Sequence, residues 1–240
     1  MLNSKELIVF ENFSFKYKQE DIFIFENLSF KIFDKSINFV IGQNGSGKTT
    51  LFKVIFYNYL YKFCNQFIKL NTNNIGFIWD FHNFYNNLTV YQNLKLYFEL
   101  SKNKNKNKIQ IAFNKYDFNK YNFDQLVNLF FDYFAINKNY LNKNINELSF
   151  GYRQKILIIR ELIVFNDLVL IDEPFLGLDY FSYLAFLKIL VDFYDQITFV
   201  IFTQNPNVIF DLQKNFNYKD LKLNEINLNS KIKLFSIYFV

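Results

Sequence analysis

The chain has 240 residues and a net charge of +5; 51% of them are hydrophobic and 22% aromatic. That length supports one large domain or two small ones, with folding burying about 70–75% of the surface exposed in the unfolded chain. The single cysteine, Cys64, excludes a disulfide scaffold, and no apolar run reaches the ~18–20 residues that span a bilayer, since even KILIIRELIVF is cut by Arg160 and Glu161.

Taken in chain order, LIVFENFSFKY and IFIFENLSFKIF alternate apolar residues through Phe13, Phe15 and Tyr17 and through Leu28, Phe30 and Ile32, which predicts antiparallel strands. Ser36 to Ile41 reads as a buried strand that feeds a glycine-rich loop, and Thr49 to about Phe63 as the helix behind that loop. A turn and a short strand follow between Asn71 and Ile78, then NLTVYQNLKLYFEL has helical spacing. The lysine–asparagine stretch SKNKNKNK reads as a solvated loop. More helix is expected from roughly Gln110 to Ile136, and LNKNINELSFGYRQKILIIRELIVF opens a buried helix. DLVLIDEP is then a buried strand with a carboxylate end, FSYLAFLKILVDFY a helix and ITFVIF a strand. Strands alternating with helices predict a mostly parallel α/β sheet, with ligand at the strands' carboxyl ends. The helical middle, roughly residues 86–160, reads as a subdomain inserted into a single domain over residues 1–240. We find no internal repeat and no Pro/Gly/Ser linker.

Three motifs carry chemistry. GQNGSGKT matches the phosphate loop G-x-x-x-x-G-K-[ST] at Gly42, Gly47, Lys48 and Thr49. Backbone N–H groups across Asn44, Gly45 and Ser46 face the phosphates, Lys48 neutralises their charge, the Thr49 hydroxyl ligates Mg²⁺, and Thr50 begins the helix as a polar neighbour. LVLIDEP places Asp172 at a strand tip to hold magnesium, and Glu173 beside it to accept a proton from an attacking water. ELSFGYRQK starts a helix at Ser149, an N-cap by type, and leaves N–H groups free at Gly151: a second anion site. If the two helix starts lie too far apart to grip one nucleotide, each serves a triphosphate bound by a partner chain, and dimerisation follows.

LSFGYRQ resembles the signature LSGGQRQ of the ATP-binding subunits of ABC transporters, and the order ELSFGYRQ…LVLIDEPFLGLD is similar to theirs. The resemblance covers nearly the whole chain. It implies a P-loop NTPase of the ABC nucleotide-binding type: α/β, with an antiparallel β subdomain and an inserted helical subdomain. It further implies ATP with Mg²⁺, a second ABC ATPase subunit in a head-to-tail dimer, and multi-span membrane permease subunits. By the same resemblance Leu176 to Asp179 form the loop that crosses the dimer, and Tyr17 stacks on adenine. Two positions depart. The family's metal-contacting glutamine is Asp80, a carboxylate able to meet Mg²⁺ through water, and its switch histidine is Gln204, which can hydrogen-bond a γ-phosphate but carries no charge. His82, the one histidine, stands in the Asp80 loop.

EPF, TQNP and the short tail after Asn207 look similar to the ATPase of the cytochrome c maturation system, which implies a haem-handling membrane protein as partner. The abundance of Phe, Tyr, Asn, Lys and Ile follows A/T-rich codons and points to an organelle or a reduced endosymbiont, so the expected place is peripheral, on the matrix or cytoplasmic face of an inner membrane. MLNSKELIVFENF lacks the apolar core and cleavage site of a secretory signal. The alternatives are an iron–sulfur assembly scaffold ATPase, and a nucleotide-gated subunit whose turnover Asp80 and Gln204 have abolished. No heptad run separates the motifs as in DNA-acting relatives, so nucleic acid is not an expected partner.

Overall fold

The computed structural model describes residues 4–18, 20–79, 84–104, 121–164, 166–216 and 221–239. The chain divides into two compact units. The first comprises Met1–Phe77, Asp167–Pro174 and Phe193–Val240; the second comprises Ile78–Asn166 and Phe175–Asp192.

The first unit contains two sheets. In the smaller, β1 (Glu6–Phe15) lies between β2 (Phe25–Phe33) and β4 (Ile68–Leu70), antiparallel to both. In β1 Leu7 to Phe10 are buried in succession rather than alternately, so both faces of the strand are covered there, and Phe10 stacks on Phe30 at 4.6 Å. Alternation would hold only for a strand with one wet face. The larger sheet runs β5 (Ile75–Ile78), β6 (Leu168–Asp172), β7 (Thr198–Thr203), β3 (Ile37–Gly42), β9 (Ile232–Phe239), β8 (Leu221–Asn229).

The β6–β7 and β7–β3 pairs are parallel, as the alternating strand and helix pattern predicts. The strand β9, by contrast, runs antiparallel to β3, with Ile37 opposite Ile237 and Gly42 opposite Ile232. The sequence reading assigned no structure to β4, to α6 (Val208–Phe216) or to the β8–β9 hairpin. Inside the sheet, Asn38 donates to Ser36 Oγ at 2.9 Å and to the Phe199 carbonyl at 3.0 Å, and accepts from Ser236 Oγ at 2.7 Å. That network satisfies a buried amide that would otherwise cost ~1–3 kcal/mol. The helix α1 (Lys48–Tyr61) packs Phe52 edge-on against Phe202 at 5.5 Å and Phe77 at 5.9 Å. It stops two residues before the expected Phe63, because Lys62 turns left-handed at φ 56° and its N–H returns to the Asn58 carbonyl.

The second unit is helical: α2 (Val90–Lys104), α3 (Phe123–Tyr133), α4 (Phe150–Ile163) and α5 (Tyr180–Phe193). Thr89 and Gln92 exchange backbone-to-side-chain bonds across the start of α2, a capping box, and Asn122 with Gln125 repeats it at α3. The apolar run of α4 is buried from Gln154 to Ile163, and it carries Arg160 with it. The guanidinium lies 4.3 Å from the Tyr97 ring and 2.7 Å from Glu161, so this buried charge is paired. Of the helix expected over roughly 110–136, the Phe123–Tyr133 part is observed; residues 105–120 lie outside the described set.

Candidate functional site

The first unit gathers the loop after β3, the start of α1 and the tips of β6 and β7. α1 begins behind Gly47 with no side-chain cap, so its first N–H groups are left to a ligand. Lys48 is buried, and its ammonium reaches back to the Gly42 carbonyl at 2.8 Å, the Gln43 carbonyl at 3.2 Å and Glu173 Oε1 at 3.6 Å. Thr49 Oγ1 donates to Asp172 Oδ2 at 2.9 Å. A hydroxyl and a carboxylate in contact at the loop's edge form an oxygen set that suits a hard divalent cation. Ser46 Oγ is buried without a hydrogen-bond partner, and an orphaned hydroxyl inside a phosphate-type loop fits a missing anionic oxygen. The donor set therefore fits a nucleotide phosphate with Mg²⁺.

Glu173 adopts φ 46°, and its N–H is held by the Phe202 carbonyl at 2.8 Å. A non-glycine residue fixed in the left-handed region is a local strain of the kind found at reactive positions. Tyr17 lies beside the same helix start, with its phenol 3.2 Å from Thr50 Oγ1 and its ring half exposed. Asn44, Gly45 and Gln204 are exposed. Thus Tyr17, Gly42, Ser46, Gly47, Lys48, Thr49, Thr50, Asp172 and Glu173 are brought together, with Gln204 just past the end of β7. Asp80 and His82 lie outside the described residues.

In the second unit Ser149 Oγ accepts from the Tyr152 N–H at 3.4 Å, the N-cap that its residue type predicts. Gly151 is required for packing: a Cβ there would overlap the Gly177 carbonyl oxygen. Asp179 accepts from the Ser182 N–H at 2.8 Å and hydroxyl at 2.9 Å, and pairs with Lys155 at 3.5 Å. The Ser182 backbone bond holds its carboxyl below the usual range, aided by the Ser182 hydroxyl and Lys155. In this structure Asp179 thus acts as the cap of α5, a role the sequence reading did not assign. Tyr152 stacks on Tyr140 at 4.5 Å, and the bond between the two phenols pushes its titration up.

The family model described as ABC transporter matches residues 25–176. The chain belongs to the ABC transporter family. Among curated proteins, this ABC chain is 30% identical over 184 residues to the lipoprotein-releasing system ATP-binding protein LolD of Buchnera aphidicola (subsp. Schizaphis graminum), covering 69% of this chain and 72% of that one. It is 26% identical over 160 residues to the molybdenum import ATP-binding protein ModC of Saccharophagus degradans, covering 62% of this chain and 39% of ModC. It therefore spans well under half of that relative. A dimeric, post-hydrolysis ATP-binding cassette bound to ADP and phosphate has the same fold: TM-score 0.63 at 21% identity, over 84% of this chain and 90% of that one. The ABC-type α/β fold expected from the motifs is the fold observed. Among the described residues, no helix is long and apolar enough to cross a membrane.

Sequence reasoning missed three contributors to these sites. Lys155 pairs with Asp179, the Lys231 carbonyl abuts Gly42, and Asn229 bonds to the glycine loop. The last two belong to the C-terminal hairpin, and pairing between β9 and β3 has no local signature in the sequence.

Proposed function

We propose that this ABC chain is the ATP-binding and ATP-hydrolysing subunit of a transporter complex, peripheral on the matrix or cytoplasmic face of an inner membrane. The observation that carries the reading is the cluster of Lys48, Thr49, Asp172 and Glu173 around one glycine loop. The residues from Gly42 to Thr50 wrap the phosphates. Lys48 exchanges its carbonyl partners for phosphate oxygens, and Thr49 with Asp172 holds Mg²⁺, whose charge offsets that of the triphosphate. Glu173 takes the proton of the attacking water, Tyr17 stacks on adenine, and Gln204 bonds a γ-phosphate oxygen. Ser149 and Gly151 serve a triphosphate held by a second ABC subunit, and multi-span permeases receive the motion. Support for the dimer and the permeases comes from the family and from the order of its motifs.

Phosphate release by the purified chain with its membrane partners, set against Glu173→Gln, is the test. Turnover lost in the variant supports the reading; equal silence in both removes its catalytic half and leaves a nucleotide-gated subunit.

The finer reading, a cytochrome c maturation complex with a haem-handling partner in a mitochondrion, rests on EPF, TQNP and the codon bias. The curated relatives carry other cargo names, lipoprotein release and molybdenum import. Purification from membranes with mass identification of partners decides it. A haem-handling protein among them supports it, a different permease refutes it, and recovery without any integral membrane protein favours the iron–sulfur scaffold.

A further inference from the structure

Asn229, at the end of β8, reaches the glycine loop from the far end of the chain. Its side-chain amide nitrogen donates to the Ser46 carbonyl at 3.3 Å and to the Ile24 carbonyl at 3.2 Å, while its amide oxygen accepts from the Lys231 N–H at 2.8 Å. All of its side-chain hydrogen-bonding atoms are therefore engaged, and they join three separate segments of the first unit. The next residues press on the same loop: a Cβ on Gly42 would stand 2.7 Å from the Lys231 carbonyl oxygen, and Ile232 lies 3.3 Å from that point.

The bond to Ser46 fixes a direction. A trans peptide points its C=O and N–H to opposite sides of the chain, and the described backbone has no cis bond. With the Ser46 carbonyl turned toward Asn229, the Gly47 N–H is turned away from it, the orientation that leaves it available to a phosphate oxygen. Ser46 Oγ, buried and unpartnered, belongs to the residue whose carbonyl is held.

We propose that Asn229 is a positioning residue for nucleotide binding: it holds the Ser46–Gly47 peptide in the orientation that presents its N–H to the phosphates, and ties that loop to the segment at Ile24. This rests on the nucleotide-binding reading above and adds to it a residue outside the phosphate-loop motif. The neutral amide is needed because both loop-side partners are carbonyl oxygens. An aspartate of the same shape supplies no donor when ionised and repels both.

The test uses the full chain and ADP as probe, with dissociation constants for wild type, Asn229→Ala, Asn229→Asp and, as a control on the same hairpin, Lys233→Ala, whose exposed pair with Glu225 touches no loop residue. The expected results are a Kd about tenfold weaker for Asn229→Ala, the size of one or two lost hydrogen bonds, a larger loss for Asn229→Asp at neutral pH, and an unchanged Kd for Lys233→Ala. The Asn229→Asp defect, measured as a ratio to wild type at each pH, shrinks as acid protonates the carboxyl and restores a donor, a dependence that a merely packing role would not produce. If Asn229→Ala fails to fold, the pH profile of the aspartate variant and amide exchange at Gly47 in wild type with and without ADP remain as readouts. Unaltered ADP affinity in both Asn229 variants overturns the inference while leaving nucleotide binding intact. A wild type that does not bind ADP overturns both.

Discussion

Thr49 and Asp172, 123 residues apart in the chain, meet through a hydrogen bond of 2.9 Å between hydroxyl and carboxylate. One stands in the first turn of α1 and the other at the tip of β6, so the contact exists because β6, β7 and β3 lie side by side in one sheet. Thr49→Val, which keeps the shape but removes the hydroxyl, is expected to lose about 1 kcal/mol of stability through the missing bond. It also raises the Mg²⁺ concentration needed for half-maximal ATP turnover at least tenfold, whereas Thr49→Ser keeps both. A magnesium titration of phosphate release checks this.

Glu173, the proposed proton acceptor, sits on left-handed backbone. Glu173→Gln should reduce turnover by about 10²-fold or more, the usual weight of a proton acceptor, while ATP still binds. Glu173→Gly abolishes turnover as well, but relaxes the left-handed backbone at φ 46°. A gain of up to about 1 kcal/mol is expected once the extra unfolded-state freedom of glycine is subtracted, seen as a Tm about 2–4 °C higher in a thermal scan. A lower Tm for the glycine variant would show that the carboxylate's contact with Lys48 outweighs the backbone cost.

At Gly151 the obstacle is backbone, the Gly177 carbonyl, and backbone yields less readily than a side-chain tip. Gly151→Ala should therefore destabilise the helical unit by about 1–3 kcal/mol, the usual cost of overpacking, although alanine is the better helix former by about 1 kcal/mol. Urea unfolding followed by circular dichroism gives the value. An alanine variant as stable as wild type would mean that the start of α4 and the segment at Gly177 separate freely.

Asp179 supplies a pH dependence with a definite sign. Its carboxyl titrates below the ordinary range because it accepts from Ser182 and faces Lys155. The stabilisation is then fully present above the unfolded carboxyl's pKa and lost as pH falls through the lower folded value. Asp179→Ala should cost about 1 kcal/mol at neutral pH, the worth of a helix N-cap, with the difference from wild type closing in acid. Paired unfolding curves at neutral and acidic pH read it directly.

The sequence revealed the parts of the site whose function lies in local spacing. Lys48 and Thr49 follow their glycines at fixed intervals, Asp172 and Glu173 end an apolar run, and Ser149 opens a helix; each needs only a few neighbours to be recognised. What escaped depends on partners distant in the chain. No feature of KIKLFSIYF says that it lies antiparallel to the glycine-loop strand, and Asn229 looks like any other of the many asparagines until the Ser46 carbonyl is found beside it. The cap that Asp179 gives its own helix likewise shows only once its oxygens are found bonded to Ser182 and paired with Lys155.

The antiparallel seam between β3 and β9 has a consequence for synthesis. Ser236 joins Asn38, 198 positions earlier, in the middle of that seam. On the ribosome, the strand leading into the glycine loop emerges before both of its neighbours, with one edge bare until residues 199–203 arrive and the other until residues 232–237 do. During that interval the exposed edges are open to pairing with another nascent chain, and the nucleotide cradle is complete only once residues 232–237 have been made.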